Sequence, residues 1–494
     1  MQGQITVWTD HDLAVINPNI YGNFAEHLGR CVYGGLWVGR ESHIPNDDGL
    51  RTAAVEALRA LKLPVLRWPG GCFADDYHWE WGIGPERRPR RNLWWSGPET
   101  NEFGTDEFLR LCRAIGCEPY ICVNVGSGTV EEAINWMEYC NSSQGSHYAN
   151  LRRQNGSREP YGVRYWGIGN ENWGCGGTMT GAQYASECRK YATYMSKLSA
   201  DVEGGVVLVA CGHGNDYAWD FDMLRGLAGA SHLVQAVSIH RYSFGCSAKF
   251  ADALSSDATP EHFYRLMGDI LGMEETIQKS LGLIEYYATP RHRLSLMMDE
   301  WGIWYRDADA GLCQQSPLKD GLFAGAALNM FNRHAAGLSM TNLAQTANVL
   351  QAVLLTRGSE MVLTPTYHAY EMMKGHQGAT LLASRATSTR LGDTQGREYD
   401  ALSLSASRSA DGKVLTLSVV NMSLEQDCTA QVLLRGLETV AGATARVLTS
   451  ASAVDCNDFE DGERVQPRAV PVSAAPSFTH TFPAKSLTVI EIAL

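Results

Sequence analysis

Eight short apolar runs, each bounded by turn residues and separated from the next by helical periodicity, recur along this chain as far as Gln345. They occupy residues 19–26, 65–71, 119–126, 164–171, 205–212, 236–242, 294–301 and 338–345. Runs of this length suit strands buried on both faces, and their alternation with helices is the pattern of parallel strands joined by crossover helices. Eight such units predict a (β/α)₈ TIM barrel, an α/β fold whose active site lies at the C-terminal ends of its strands. Helix starts are marked too. Thr129 with Glu132, and Thr180 with Gln183, have capping-box spacing, in which side chains satisfy the free backbone donors of a first turn.

After about Gly375 the pattern changes to alternation without helices, in 399–407, 413–423, 429–437, 444–450 and 486–494. That is the signature of a β-sandwich. The opening segment 4–8 has the same character and is expected to pair with that sheet. The predicted organisation is an N-terminal strand over 1–15, a barrel over 16–375 and a C-terminal sandwich over 376–494. A chain of 494 residues exceeds what one hydrophobic core usually supports, so two domains are the default.

Composition narrows the function. The 41 basic and 54 acidic residues give a net charge of −13, which disfavours nucleic acid as a partner because such binding needs concentrated positive charge. The apolar runs are strand-sized, so no membrane span is expected. The amino terminus has neither a basic n-region nor an apolar h-region, which favours the cytoplasm. Thirteen cysteines, scattered and odd in number, read as free buried thiols of a reducing compartment.

Two of the runs end in the same way. RYWGIGNENWG, residues 164–174, carries Glu171 between Asn170 and Asn172 in a setting rich in glycine and tryptophan, and LSLMMDEWGIWY, residues 294–305, carries Glu300 ahead of Trp301 and Trp304. Amides offer hydrogen bonds to hydroxyls and aromatic faces pack on sugar rings. Two carboxylates brought together at strand ends suit retaining glycoside hydrolysis, which needs an acid for the leaving oxygen and a nucleophile about 5 Å away. The dinucleotide fingerprint that Gly167 and Gly169 suggest lacks its third glycine. No H-E-x-x-H motif or comparable cluster points to a metal, and no cofactor is expected.

Taken together, IYGNFAEHLGRCVYGG, LRWPGGCFADDYHW, GIGNEN, SIHRY, MDEWG and NLAQTANVLQ make the chain resemble, over essentially its whole length, the α-L-arabinofuranosidases of glycoside hydrolase family 51. The resemblance implies a (β/α)₈ retaining hydrolase with Glu171 on the fourth strand as acid/base and Glu300 on the seventh as nucleophile. It further implies that Asn170 holds the sugar 2-hydroxyl, Glu26 grips furanose hydroxyls, and Tyr242 positions the nucleophile with His240 lining the same floor. Gln345 corresponds to a contact with the primary hydroxyl and Trp304 to an aromatic wall. Cys72 is expected to touch the sugar subsite, Arg67 to orient carboxylates from behind, and Asn124 to point toward the rim. The continuation after Glu171, NWGCGG, departs from the Asp-Gly-Pro-Trp-like sequence of many members and bears on the leaving-group side.

The implied activity is exo-hydrolysis of terminal α-L-arabinofuranosyl residues from arabinan or arabinoxylan oligo- and polysaccharides, by an enzyme that the family association makes a homo-oligomer, a hexamer. An endo-β-1,4-glucanase or xylanase using the same two glutamates is the nearest rival, since one fold serves many substrates. A non-catalytic carbohydrate-binding barrel is the rival from another class. For the division of labour, Glu171 is expected to be protonated and Glu300 ionised.

Overall fold

The computed structural model describes residues 1–244, 253–393, 395–473 and 475–494. A closed barrel of eight parallel strands forms its centre. Numbered in chain order, they are β1 (Gly22–Phe24), β2 (Val65–Trp68), β3 (Glu118–Val123), β4 (Tyr165–Ile168), β5 (Val207–Cys211), β6 (Ala236–Ser243), β7 (Ser295–Ile303) and β8 (Leu338–Ala344). Every one coincides with a predicted run. The first is shorter than expected, because Pro18–Tyr21 forms a 3₁₀ turn, started by the Asn17 side chain accepting from the Asn19 amide.

The barrel interior is packed rather than hollow, with Val65, Tyr120, Val209, Ala236, Met297 and Met340 meeting inside it. Helices cover the outside and also hold the strand ends in place. In the helix Gly181–Met195, Tyr184, Cys188, Tyr191 and Met195 recur at three- and four-residue spacing on the buried face. The Tyr184 hydroxyl donates to Ile168 O at 2.7 Å and accepts from Cys211 N at 2.6 Å, joining the ends of β4 and β5. Burial of one such side chain contributes about 1.5–3 kcal/mol. The expected capping box at Thr180 and Gln183 is complete. At Thr129 only half of it forms: Thr129 accepts from Glu132 N, whereas the Glu132 carboxylate turns to His78.

The C-terminal region is a nine-stranded sheet, and the N-terminal strand Gln2–Val15 lies inside it, antiparallel to Thr380–Ser388 and parallel to Cys428–Arg435. Ile5, Val7, Val419, Val432, Phe482 and Ile490 share one core, so the sheet curls over itself. A small hairpin, Arg390–Gly392 with Glu398–Asp400, leaves this region and packs on the helix Pro260–Tyr287 of the barrel. The alternation within 4–8 and the C-terminal runs had pointed to such a layer. The shorter strands Arg468–Val470 and Ser477–Phe482 carry too few apolar residues to stand out.

Candidate active site

Local backbone features aim the two glutamates. Between β6 and β7 the register slips by one residue, Ile239 facing Met298 and His240 facing Glu300. Such a bulge re-aims side chains. Consecutive residues in a regular strand face opposite sides, yet here Asp299 and Glu300 both turn to Arg67, at 3.5 Å from Nε and 2.8 Å from Nη1. Glu300 therefore lies within β7 rather than at its end. Glu171 lies beyond β4, in a left-handed conformation with φ of 43°. Residues other than glycine hold that conformation only when their surroundings impose it.

The buried carboxylate of Asp75 provides much of that constraint. It accepts from Val125 N, Gly126 N and Asn170 N at 2.7–2.9 Å, tying the chain after β2 to the ends of β3 and β4. Burial raises its pKa to about 7 against the pull of these donors. A side chain at Gly176 would sit 2.2 Å from Asn170 O and 2.3 Å from Asp75 Oδ2, so only glycine lets the loop close here. A disulfide between Cys72 and Cys175 fixes the same two loops to each other. The expectation of uniformly free thiols is thereby corrected. Spacing along the chain gives no hint of a pair 103 residues apart that the fold brings to a Cα separation of 5.5 Å. Ten other cysteines are free, and Cys246 lies outside the described residues.

His240 stands between the two glutamates. Its Nδ1 is 2.8 Å from Glu171 Oε1 and 3.5 Å from Glu300 Oε2, and an oxygen of each carboxylate lies within 4.8 Å of the other. The Tyr242 hydroxyl donates to Glu300 Oε2 at 2.8 Å. Burial pushes the Glu300 carboxyl up, but His240, Arg67 and the Tyr242 hydrogen bond outweigh it and hold the group below the usual carboxylate range. Burial pushes His240 down, and the charges of Glu300 and Glu171 reverse this and raise it. Arg67 also donates through Nη2 to Asn170 Oδ1 at 2.6 Å, which turns the amide nitrogen of Asn170 away from it.

Across the cavity, Glu26 accepts from Trp95 Nε1 at 3.0 Å, Phe73 N at 3.2 Å and Gln345 Nε2 at 3.1 Å. Burial, reinforced by the charge of Glu300, raises its pKa to about 7. A Cβ at Gly71 would meet Glu300 Oε1 at 3.0 Å and Glu26 Oε1 at 3.3 Å. The Trp-Pro-Gly-Gly turn thus leaves a floor between the two acids. Trp304 stands edge-on to Tyr242, with ring centroids 5.6 Å apart. The cavity measures about 790 Å³ and is bordered by Glu26, Cys72, Glu171, His240, Tyr242, Glu300, Trp304 and Gln345.

Of the predicted residues, Asn170 and Arg67 stand directly behind this cavity. Asn124 does not reach it: its side chain closes the turn 124–128, accepting from Ser127 N and Gly128 N. Sequence reasoning missed Asp75, the partner Cys175 and the hydrogen bond of Trp95. All three lie within the motifs or the tryptophan-rich loop that had drawn attention, but nothing in residue type marks their contacts.

Two family models match the chain, the α-L-arabinofuranosidase 1 domain over residues 57–250 and the α-L-arabinofuranosidase C-terminal domain over 299–486. An intracellular exo-α-L-arabinofuranosidase of Bacteroides ovatus is 40% identical over 99% of this chain and 95% of its own. The chain belongs to the α-L-arabinofuranosidases of glycoside hydrolase family 51. The crystal structure of the family 51 arabinofuranosidase from Xanthomonas axonopodis pv. citri superposes with a TM-score of 0.93, at 34% identity and covering 99% of both chains. That of the Thermotoga maritima α-L-arabinofuranosidase in its arabinose complex gives 0.89, at 34% identity over the whole of both. A barrel with an appended strand-rich domain is thus the architecture of its relatives as well.

Proposed function

We propose that this arabinofuranosidase is an exo-acting, retaining enzyme that removes terminal α-L-arabinofuranosyl residues from arabinan- or arabinoxylan-type saccharides by double displacement. The observation that carries the reading is the approach of Glu171 and Glu300, with oxygens within 4.8 Å. Retaining pairs stand about 5–5.5 Å apart, whereas inverting pairs leave room for a water at about 6.5–9.5 Å.

Glu300 attacks the anomeric carbon as Glu171 donates a proton to the departing oxygen. Water then attacks the glycosyl-enzyme with Glu171 as base. Arg67, Tyr242 and His240 favour the ionised form of Glu300 before attack. Glu171 has 20% side-chain exposure against 7% for Glu300, so protons and water reach the acid/base more readily than the nucleophile. Asn170, with its oxygen engaged by Arg67, presents its amide nitrogen to the 2-hydroxyl. Glu26 and Gln345 receive the remaining furanose hydroxyls, and Trp95 and Trp304 pack on the ring. The exo assignment draws on the name of the Bacteroides relative.

Initial rates on 4-nitrophenyl α-L-arabinofuranoside and on carboxymethyl cellulose test the substrate, and the anomer first released, followed by NMR, tests the stereochemistry. Furanoside cleavage with α-arabinofuranose formed first is expected. Cleavage of the polymer alone, or β-anomer formed first, would overturn the reading.

A further inference from the structure

The cavity does not end at the two glutamates. Glu26 and Gln345, just beyond β1 and β8, bound one side, whereas Trp173 and Asn215, in the loops after β4 and β5, and Arg241 on β6 border the other. On that side the wall is completed by Arg397, which comes from the C-terminal hairpin rather than from the barrel.

Arg241 and Arg397 share one counter-charge. Asp269, on the helix Pro260–Tyr287, has 2% of its side chain exposed and receives Arg241 Nη2 at 2.9 Å and Arg397 Nη1 at 3.1 Å, with the Ser243 hydroxyl on Oδ2 at 2.6 Å. Asp269 lies behind the two guanidiniums, which face the cavity, and the hairpin's own carboxylate, Asp393, accepts from the backbone of Gln395 and Arg397. Nη1 of Arg397 also reaches Gly268 O, but its Nε and Nη2 have no acceptor among the described residues. The helix is shaped for this arrangement. A Cβ at Gly272 would lie 3.2 Å from Arg397 Nη2, 3.3 Å from Arg241 Nη2 and 3.2 Å from Asp269 Oδ1, and one at Gly268 would lie 2.7 Å from Asp393 Oδ2 of the hairpin. Glycines one helical turn apart thus admit the hairpin and bring the second guanidinium to the cavity wall. The nearby carboxylate on the same wall, Glu275, is paired with Lys279 at 2.6 Å.

We propose that Arg241 and Arg397 form a carboxylate-binding subsite on the leaving-group side, which selects arabinofuranosides whose remaining saccharide carries a uronic acid. A planar guanidinium with spare parallel donors matches a carboxylate better than it matches a hydroxyl. In a chain of net charge −13, an anionic saccharide is repelled by the overall field, and a local pair of cations is what offsets that repulsion. The inference rests on the arabinofuranosidase reading and adds to it the chemistry of the leaving group.

The test compares kcat/KM on an arabinofuranosyl-substituted xylo-oligosaccharide bearing glucuronic acid with that on its carboxyl-reduced counterpart, for wild type, Arg397→Gln and Arg397→Lys. Wild type is expected to favour the acidic substrate about tenfold at low salt, as one charge-assisted contact allows, and less at high salt. Arg397→Gln should bring the ratio close to one, with Arg397→Lys in between. No preference in wild type, or an equal preference in wild type and Arg397→Gln, would overturn the subsite. So would equal losses on both substrates in Arg397→Gln, which would make Arg397 a clamp between domains only. Absence of wild-type activity on 4-nitrophenyl α-L-arabinofuranoside, which has no carboxylate, would instead overturn the arabinofuranosidase reading itself.

Discussion

Glu171 and Glu300 share a histidine and a cavity, but their settings differ in kind. Glu300 is part of a strand, deeply buried, and gripped by a guanidinium, a phenol and an imidazole. Glu171 is on a loop, in a left-handed backbone conformation, and among the described residues His240 is its one close polar partner besides the flanking sulfurs of Cys72 and Cys175 at 4.0 and 3.7 Å. In the proposed mechanism, the group that stays charged is surrounded by cationic and donor groups, whereas the group that gains and loses a proton keeps a route to water. Chemical role therefore follows from surroundings, even between residues of the same type.

Removing each acid should expose this asymmetry. Glu300→Ala is expected to lower kcat on every substrate by about 10⁴-fold or more, since no step proceeds without the nucleophile. Appreciable turnover by a folded variant, measured with the aryl furanoside, would end the assignment. Glu171→Ala should cost natural saccharides on the order of 10²–10⁴-fold and spare 4-nitrophenyl α-L-arabinofuranoside in the first step, because nitrophenolate departs with little help from an acid. Equal losses on both substrates would remove the distinction between the two glutamates.

His240→Asn probes the residue they share. Its positive charge helps to hold Glu300 below the usual carboxylate range, so its loss raises the Glu300 pKa. Protonated Glu300 cannot attack, and the acid limb of kcat/KM against pH should move to higher pH, with a loss of about tenfold at the optimum. An unmoved limb would mean that Arg67 and Tyr242 set the charge without it.

The smallest effect concerns Glu26, another acid of the cavity, whose pKa is raised to about 7 in the folded protein. Unfolded, such a carboxyl binds its proton only below about 4.5. Between these values the folded state holds the extra proton, so stability falls as pH rises from 4.5 to 7 and this contribution is constant above. Glu26→Gln should therefore raise the melting temperature by about 2 °C at pH 8 and have little effect at pH 5, while binding of the sugar weakens. Gln345 Oε1 is buried without a partner among the described residues, so a flip of that amide lets it accept from the new side chain. Equal melting shifts at both pH values would refute the link to titration.

The eight barrel strands and the meeting of Glu171 and Glu300 at one cavity were legible in the sequence because they rest on local regularities, namely apolar runs of strand length and glutamates among glycine and tryptophan. The assignments of His240, Tyr242 and Gln345 came from resemblance, since a histidine in an apolar strand has no spacing that announces its partners. The bulge that turns Asp299 and Glu300 to the same side is a property of two strands together, invisible in either one. The Cys72–Cys175 pair and the Asp75 tether depend on loops that meet only after the barrel closes. The arrival of Arg397 at the cavity depends on two glycines in a helix far earlier in the chain.

The strand Gln2–Val15 has a consequence for how the protein is made. Thr9 O accepts from Arg408 Nη1, a partner 399 positions away. At roughly 5–20 residues per second, Thr9 is synthesised ~20–80 s before that partner exists. Until Thr380–Ser388 is made, the strand has unpaired edges on both sides, the state most open to wrong pairing. This strand thus waits for partners made about 400 residues later, and the strand-rich domain closes only after they have followed it.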